Sequence, residues 1–251
     1  MSPTLPHFHT PILVALLPSL LLAQEPAPDS GIPHLAAGEA RGSVLAAVEV
    51  FNGIRSKDGT ISLVNLKLQT NTLAGILHNL IGREIGRRSD YWRFIPSGAA
   101  GGDLEGKKGE PLELKTSSDL QVKGNQVSHN NRYYLVSHFV VYPKQNRIAV
   151  VWIRGGRLDA KDWRRPKGTQ WAFVTREGEA KLKTIWKNFK ELPASHLRGI
   201  GKKRQQLLEA AGIFTVKQFA KTNLEQLREI LNISARQVEK MMEEAKGISD
   251  Q

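Results

Sequence analysis

Apolar residues recur at helical spacing in two early stretches of the chain. Val44, Leu45, Val48 and Phe51 predict a helix over residues 42–54. Leu73, Ile76, Leu77, Leu80, Ile81 and Ile85 form the stripe of a second helix over 71–86, with Asn71 or Thr72 as its cap. The pattern then shortens to strands: 91–96, a hairpin over 102–116, then 132–141, 147–153 and 171–175. Residues 143–146 read as the turn between two of these strands, and 177–189 as a helix. Residues 24–42 are rich in Pro and Gly and read as an irregular entry. Beyond Pro193 strand alternation disappears and only helical periodicity remains, to residue 247. Helices before and after a run of strands predict an α/β (α+β) domain over 42–191. A small all-α module over 194–247 follows it, and an apolar, Pro-rich segment over 1–41 precedes it.

The hairpin carries the strongest chemical signal. Leu112 and Leu114 alternate with Glu113 and Lys115, so a strand buries the leucines and presents both charges on its other face. Gly106-Lys-Lys-Gly109 reads as a tight turn that folds Asp103 back towards Glu113. Mg²⁺ binds through one or two carboxylates plus water and phosphate oxygens, and Asp103 with Glu113 meets that demand. The carbonyl of Leu114 is a further oxygen. Lys115 is placed to orient or deprotonate a water, or to neutralise a pentacovalent phosphate. A charged surface hairpin with no catalytic part is the alternative reading of the same residues.

Charge supports a polyanionic partner. The 251 residues carry a formal net charge of +12, spread along the chain, and no cysteine. Nucleic acid is the leading partner and an anionic membrane surface the second. Thiol catalysis, disulfides and Cys-ligated zinc are excluded, which fits a reducing, cytoplasmic setting. Residues 11–23 are apolar enough for the core of a signal segment, but residues 1–10 contain no Lys or Arg, which argues against export or anchoring. The segment is short for a span and interrupted by Pro18, so no stable membrane association is expected.

Gly102-Asp103 followed by Glu113-Leu-Lys115 resembles the PD-(D/E)xK nuclease signature, and the likeness covers residues 70–155. It implies a restriction-endonuclease-like mixed sheet flanked by helices, a Mg²⁺ cofactor and catalytic Asp103, Glu113 and Lys115. The proline that precedes the Asp in that family is Gly102 here, which leaves Asp103 and Glu105 both open as first ligand. In that family a Glu from the upstream helix often joins the metal. Glu84 is the matching candidate, ahead of Glu49, and a solvated helix carboxylate is the alternative for each.

Other residues are candidates for touching DNA. Arg87 and Arg88, with Arg83 and Arg93, suit phosphate contacts near the hairpin. Asn130, Asn131 and Arg132 end a polar stretch that can pair with base edges or stand as a solvated loop. Lys161, Arg164, Arg165 and Lys167 surround Trp163 and read equally as a backbone contact or a solubilising loop. His138, inside an apolar strand, reads as a core residue.

In the last module, Gly199-Ile200-Gly201 precedes a helix beginning with Lys202, Lys203 and Arg204. Such glycines permit close backbone approach, and helix N-terminal amides hold phosphate oxygens. The stretch resembles the helix-hairpin-helix fold, which implies sequence-tolerant binding to the DNA backbone. A second unit with a turn at Asn232-Ile233 lacks the glycines and reads as structural. Together these readings imply a Mg²⁺-dependent endonuclease on double-stranded DNA, in its most specific form a type II restriction enzyme. Cutting both strands implies a homodimer. A structure-specific repair or recombination nuclease and a non-catalytic DNA-binding protein are the alternatives.

Overall fold

Ala37, Ala40, Val44, Ala47 and Phe51 line the buried face of the first helix, α1 (Ala37–Gly53). A computed structural model describes residues 29–96, 102–118, 120–124 and 131–250. The apolar stretch 11–23 and the polar residues 125–130, Asn130 included, lie outside that range. The core reaches further upstream than the 42–191 boundary: Ile32, Leu35 and Ala37 are buried in it. The Pro/Gly-rich reading misses them because it weighs turn residues and not the apolar ones between.

α2 (Thr70–Arg88) buries Leu73, Leu77, Ile81 and Ile85 as its stripe predicts. Its N-cap is Gln69 and makes no side-chain capping bond, so Asn71 and Thr72 lie within the helix and do not cap it. Six strands follow in one mixed sheet, in the order β1-β2-β3-β5-β6-β9. They are β1 (Trp92–Phe94), β2 (Leu104–Gly106), β3 (Pro111–Ser117), β5 (Arg132–Tyr142), β6 (Arg147–Leu158) and β9 (Lys183–Lys187). β3 and β5 run parallel, with Glu113 beside Tyr134 and Lys115 beside Val136, whereas β2–β3 and β5–β6 are antiparallel. A second, three-stranded sheet joins β4 (Lys123–Gly124), β8 (Ala172–Val174) and β7 (Trp163–Arg164), with β8 in the middle.

The helix expected over 177–189 is corrected. α3 (Arg176–Lys181) stops after six residues, and Lys183–Lys187 continues as the edge strand β9. The misreading has a definite cause. Leu182, Ile185, Trp186 and Phe189 stand at helical spacing, yet Leu182, Ile185 and Phe189 pack into three different clusters. Locally Thr184, Ile185 and Trp186 are β-branched or aromatic and suit a strand.

Alternation divides the large sheet into two faces. Leu112, Leu114, Leu135, Phe139 and Ile148 pack with α1 and α2 in one core. The opposite face presents Tyr134 and Val136 to a core shared with the small sheet. On that same face Val140, Tyr142, Ala149 and Val151 pack into the core of the C-terminal helices. Those helices are α4 (Lys202–Ala210), α5 (Val216–Lys221), α6 (Leu224–Leu231) and α7 (Ala235–Ser249). The module is fastened as well as packed: Arg147 pairs with Glu191 at 2.9 Å, Lys144 with Glu209 at 3.6 Å, and Trp152 meets Phe189 edge-on at 5.6 Å. Among the described residues no helix is long and apolar enough to cross a membrane.

Candidate active site and nucleic-acid interface

The hairpin folds as its pattern predicts. The turn closes with Gly109 N donating to Gly106 O at 2.8 Å, and Leu104 stands opposite Leu112. One step further, Asp103 N donates to Leu112 O at 3.1 Å, which brings Asp103 level with Glu113. There β2 ends. The Asp103 carboxylate takes the place of the missing strand: its Oδ2 accepts the Leu114 N–H at 2.7 Å. Peptide groups of one residue point to the same side of a strand, so the Leu114 carbonyl is directed to that side too.

Asp103 is therefore the acid beside β3. Glu105, the other candidate, points outward and pairs with Arg93 at 2.6 Å, with about half of its side chain exposed. Lys115 Nζ lies 3.4 Å from Glu113 Oε2, and Arg132 bonds the other oxygen of Glu113. These side chains are half-buried, with Glu113 at 14% and Lys115 at 22% exposure, so their charges act on one another with reduced screening.

His78, which the sequence pattern does not single out, completes the group. Its Nε2 stands 3.0 Å from Asp103 Oδ1. A signal is present: Ala74, His78 and Gly82 repeat every four residues along α2, so they share one face. That face meets the hairpin, since Ala74 O accepts from Thr116 Oγ1 at 2.9 Å and a side chain on Gly82 would collide with Phe94. The small residues bring helix and strands together, and the histidine between them reaches Asp103.

Burial raises the Asp103 carboxyl, but the His78 hydrogen bond and charge, the Leu114 N–H and the Lys115 ammonium outweigh it and hold it below the usual carboxylate range. Burial, and then the charge of Glu113, pushes Tyr134 up to about 12, so its phenol stays protonated beside the acid.

Glu84 does not join them. Its carboxylate is held by Arg87 at 2.8 Å and by Arg88 at 3.2 Å on its own helix. The same pairs partly neutralise the two arginines expected to meet phosphate. Glu49 lies on α1, where it is exposed. Among the described residues no three His, Asp or Glu side chains are grouped closely enough to hold a metal unaided. The donor set still suits Mg²⁺, which takes one or two carboxylates, a carbonyl and water.

At the C-terminal hairpin, Gly199 has φ +84° and Gly201 is the N-cap of α4. Gly199 is needed twice over, because a Cβ there would also stand 2.8 Å from Met241 Cε. Lys202 and Lys203 are exposed at the helix start, whereas Arg204 folds back onto the Gly199 carbonyl at 2.6 Å. The second unit has the same shape without glycines. Asn232 takes the left-handed conformation, Ile233 packs inward, and Ser234 caps α7 through a capping box with Gln237. Asn tolerates positive φ better than other non-glycine residues.

Residues 189–246 match the SAM-like helix-hairpin-helix tandem. The C-terminal module is thus a helix-hairpin-helix domain, a fold that implies DNA binding. A comparison of the chain with curated proteins found no match. The helix-hairpin-helix domain docks on the sheet face that also presents Glu113 and Lys115, away from α1 and α2.

Proposed function

We propose that the protein is a Mg²⁺-dependent DNA endonuclease of the PD-(D/E)xK kind, in its most specific form a restriction endonuclease. The observation that carries this reading is the shared face: a DNA-binding domain and the Glu113–Lys115 pair lie on one side of one sheet, with Asp103 beside them where β2 ends. From Tyr134, beside Glu113, to Val140, under the helix-hairpin-helix domain, is six strand positions, or roughly 20 Å. A duplex gripped by the domain spans that distance in about six base pairs.

In this reading Asp103, Glu113 and the Leu114 carbonyl hold the Mg²⁺, which when bound polarises the phosphate and acidifies a water. His78 and the Leu114 N–H fix the Asp103 carboxylate, so its orientation is set before substrate arrives. Lys115, released from Glu113, orients the attacking water or meets the negative charge growing on phosphorus. Arg132, once released from Glu113 in the same way, suits a neighbouring phosphate. Two copies on two-fold symmetric DNA would cut both strands.

One observation favours a non-catalytic DNA-binding protein instead: both oxygens of Glu113 are engaged by Arg132 and Lys115. Digestion of plasmid, phage and branched DNA with Mg²⁺ separates the readings. Discrete fragments support restriction, and cutting confined to branched substrates supports a repair nuclease. DNA left intact on every substrate, despite tight binding, leaves only the binder.

A further inference from the structure

We propose that the β7–β8 hairpin, residues 163–174, is a second DNA-binding element that enters the major groove and reads base edges. Its sequence, Trp-Arg-Arg-Pro-Lys-Gly-Thr-Gln-Trp-Ala-Phe-Val, contains no acid and carries Arg164, Arg165 and Lys167. All three cations and Gln170 are exposed. The tip is ordered by its own bonds. Thr169 N donates to Pro166 O at 3.2 Å, Thr169 Oγ1 donates to Trp171 O at 2.8 Å, and Gly168 supplies the positive φ of +80° that the turn requires.

The base of the hairpin is braced. The buried Asp162 carboxylate accepts from Asp159 N at 2.8 Å and from Lys181 Nζ at 2.7 Å, and Thr175 N donates to Asp162 O at 2.8 Å. Lys123 sits over the Trp171 ring at 5.6 Å. A basic hairpin braced in this way loses less entropy on binding than an unbraced loop.

Position supplies the occupant. Trp163 packs on Tyr134 with ring centroids 5.5 Å apart, and Tyr134 pairs in register with Glu113. β6 ends at Leu158, opposite Arg132, and the hairpin begins five residues later. The ribbon therefore stands beside the Glu113 end of the sheet face whose other end carries the helix-hairpin-helix domain. The major groove, about 12 Å wide, admits a two-stranded ribbon, and Arg and Gln there make bidentate bonds to guanine and adenine. The division of labour follows: the helix-hairpin-helix domain grips backbone and the ribbon selects sequence. The proposal rests on the reading of duplex DNA as what lies across this face.

The test is selection from a pool of duplexes with a randomised centre, bound in EDTA so that no cleavage intervenes, by wild-type protein and by R164A/R165A/K167A/Q170A. Thermal melts show whether the variant is folded, and single substitutions replace the quadruple one if it is not. Wild type is expected to enrich a consensus and to prefer it roughly tenfold or more over scrambled duplex. The variant is expected to bind both duplexes alike. A variant that enriches the same consensus overturns the proposal, whether its overall affinity is unchanged or lowered, because the ribbon then only adds charge. A wild type that enriches nothing overturns it too. Cleavage of plasmid with Mg²⁺, scored separately, tests the nuclease reading whichever way the selection falls.

Discussion

Nε2 of His78 lies 3.0 Å from Oδ1 of Asp103, and the other Asp103 oxygen accepts the Leu114 N–H at 2.7 Å. The carboxylate is thus clamped between a helix and the strand that bears Glu113 and Lys115. It does not have to be gathered in by a ligand.

His78→Ala removes the strongest of the effects that keep the Asp103 carboxyl low and leaves the burial that pushes it up. The Asp103 titration midpoint, followed by carbon NMR of the side chain, is expected to rise in the variant. An unchanged midpoint would show that Leu114 and Lys115 suffice.

The same depression sets a pH dependence of stability. A carboxyl whose folded value lies below the ordinary 3.8 stabilises the fold fully above that value. The contribution disappears as pH falls through the folded value. The stability advantage of wild type over Asp103→Asn should therefore shrink as pH falls below the ordinary value. An advantage that grows in acid contradicts the sign.

Arg154 is almost wholly buried beneath the same face. It pairs with Glu179, touches His138 Nε2 at 2.9 Å and lies 3.8 Å over the Trp152 ring. Glu179→Ala leaves that charge without its counter-ion and should cost on the order of 3 kcal/mol by denaturant unfolding. Replacing both partners with apolar residues should cost less than the single change. A double change that costs as much as the two single changes added together would mean that the pair is not coupled.

Gly199→Ala places a side chain at φ +84° and against Met241. It should destabilise the helix-hairpin-helix domain by about 1–3 kcal/mol and weaken DNA binding with it. Gly201→Ala, at φ −82° with open space around it, should be much milder. Lys202→Ala or Lys203→Ala should lower the salt slope of DNA binding by about 0.9 for each phosphate that is no longer neutralised. Slopes equal to wild type would place both lysines away from the backbone.

The fold is legible where one period runs uninterrupted. The α2 stripe and the Leu112/Leu114 alternation each face a single core, and the pattern shows both the element and its face. It fails at 182–189, where neighbouring residues serve three cores and their spacing imitates a helix. Glu113 and Lys115 can be paired from alternation alone, because strand geometry settles which side chains share a face. His78 cannot be placed that way. Its partner is twenty-five residues downstream, and only the packing of Ala74 and Gly82 against the hairpin aims it there. The Asn232-Ile233 turn is legible as well, because Asn accepts the left-handed backbone that glycine supplies at 199.

The most direct measurement of the central claim is Mg²⁺-dependent cleavage by wild type, Asp103→Asn and Glu113→Gln at matched DNA occupancy. Wild type should cut duplex DNA, and both variants should bind as tightly while losing at least a hundredfold in single-turnover rate, about 2.7 kcal/mol of barrier. Variants that cut at the wild-type rate, or a wild type that binds DNA and leaves it whole, would contradict the assignment of Asp103 and Glu113 as a catalytic metal site.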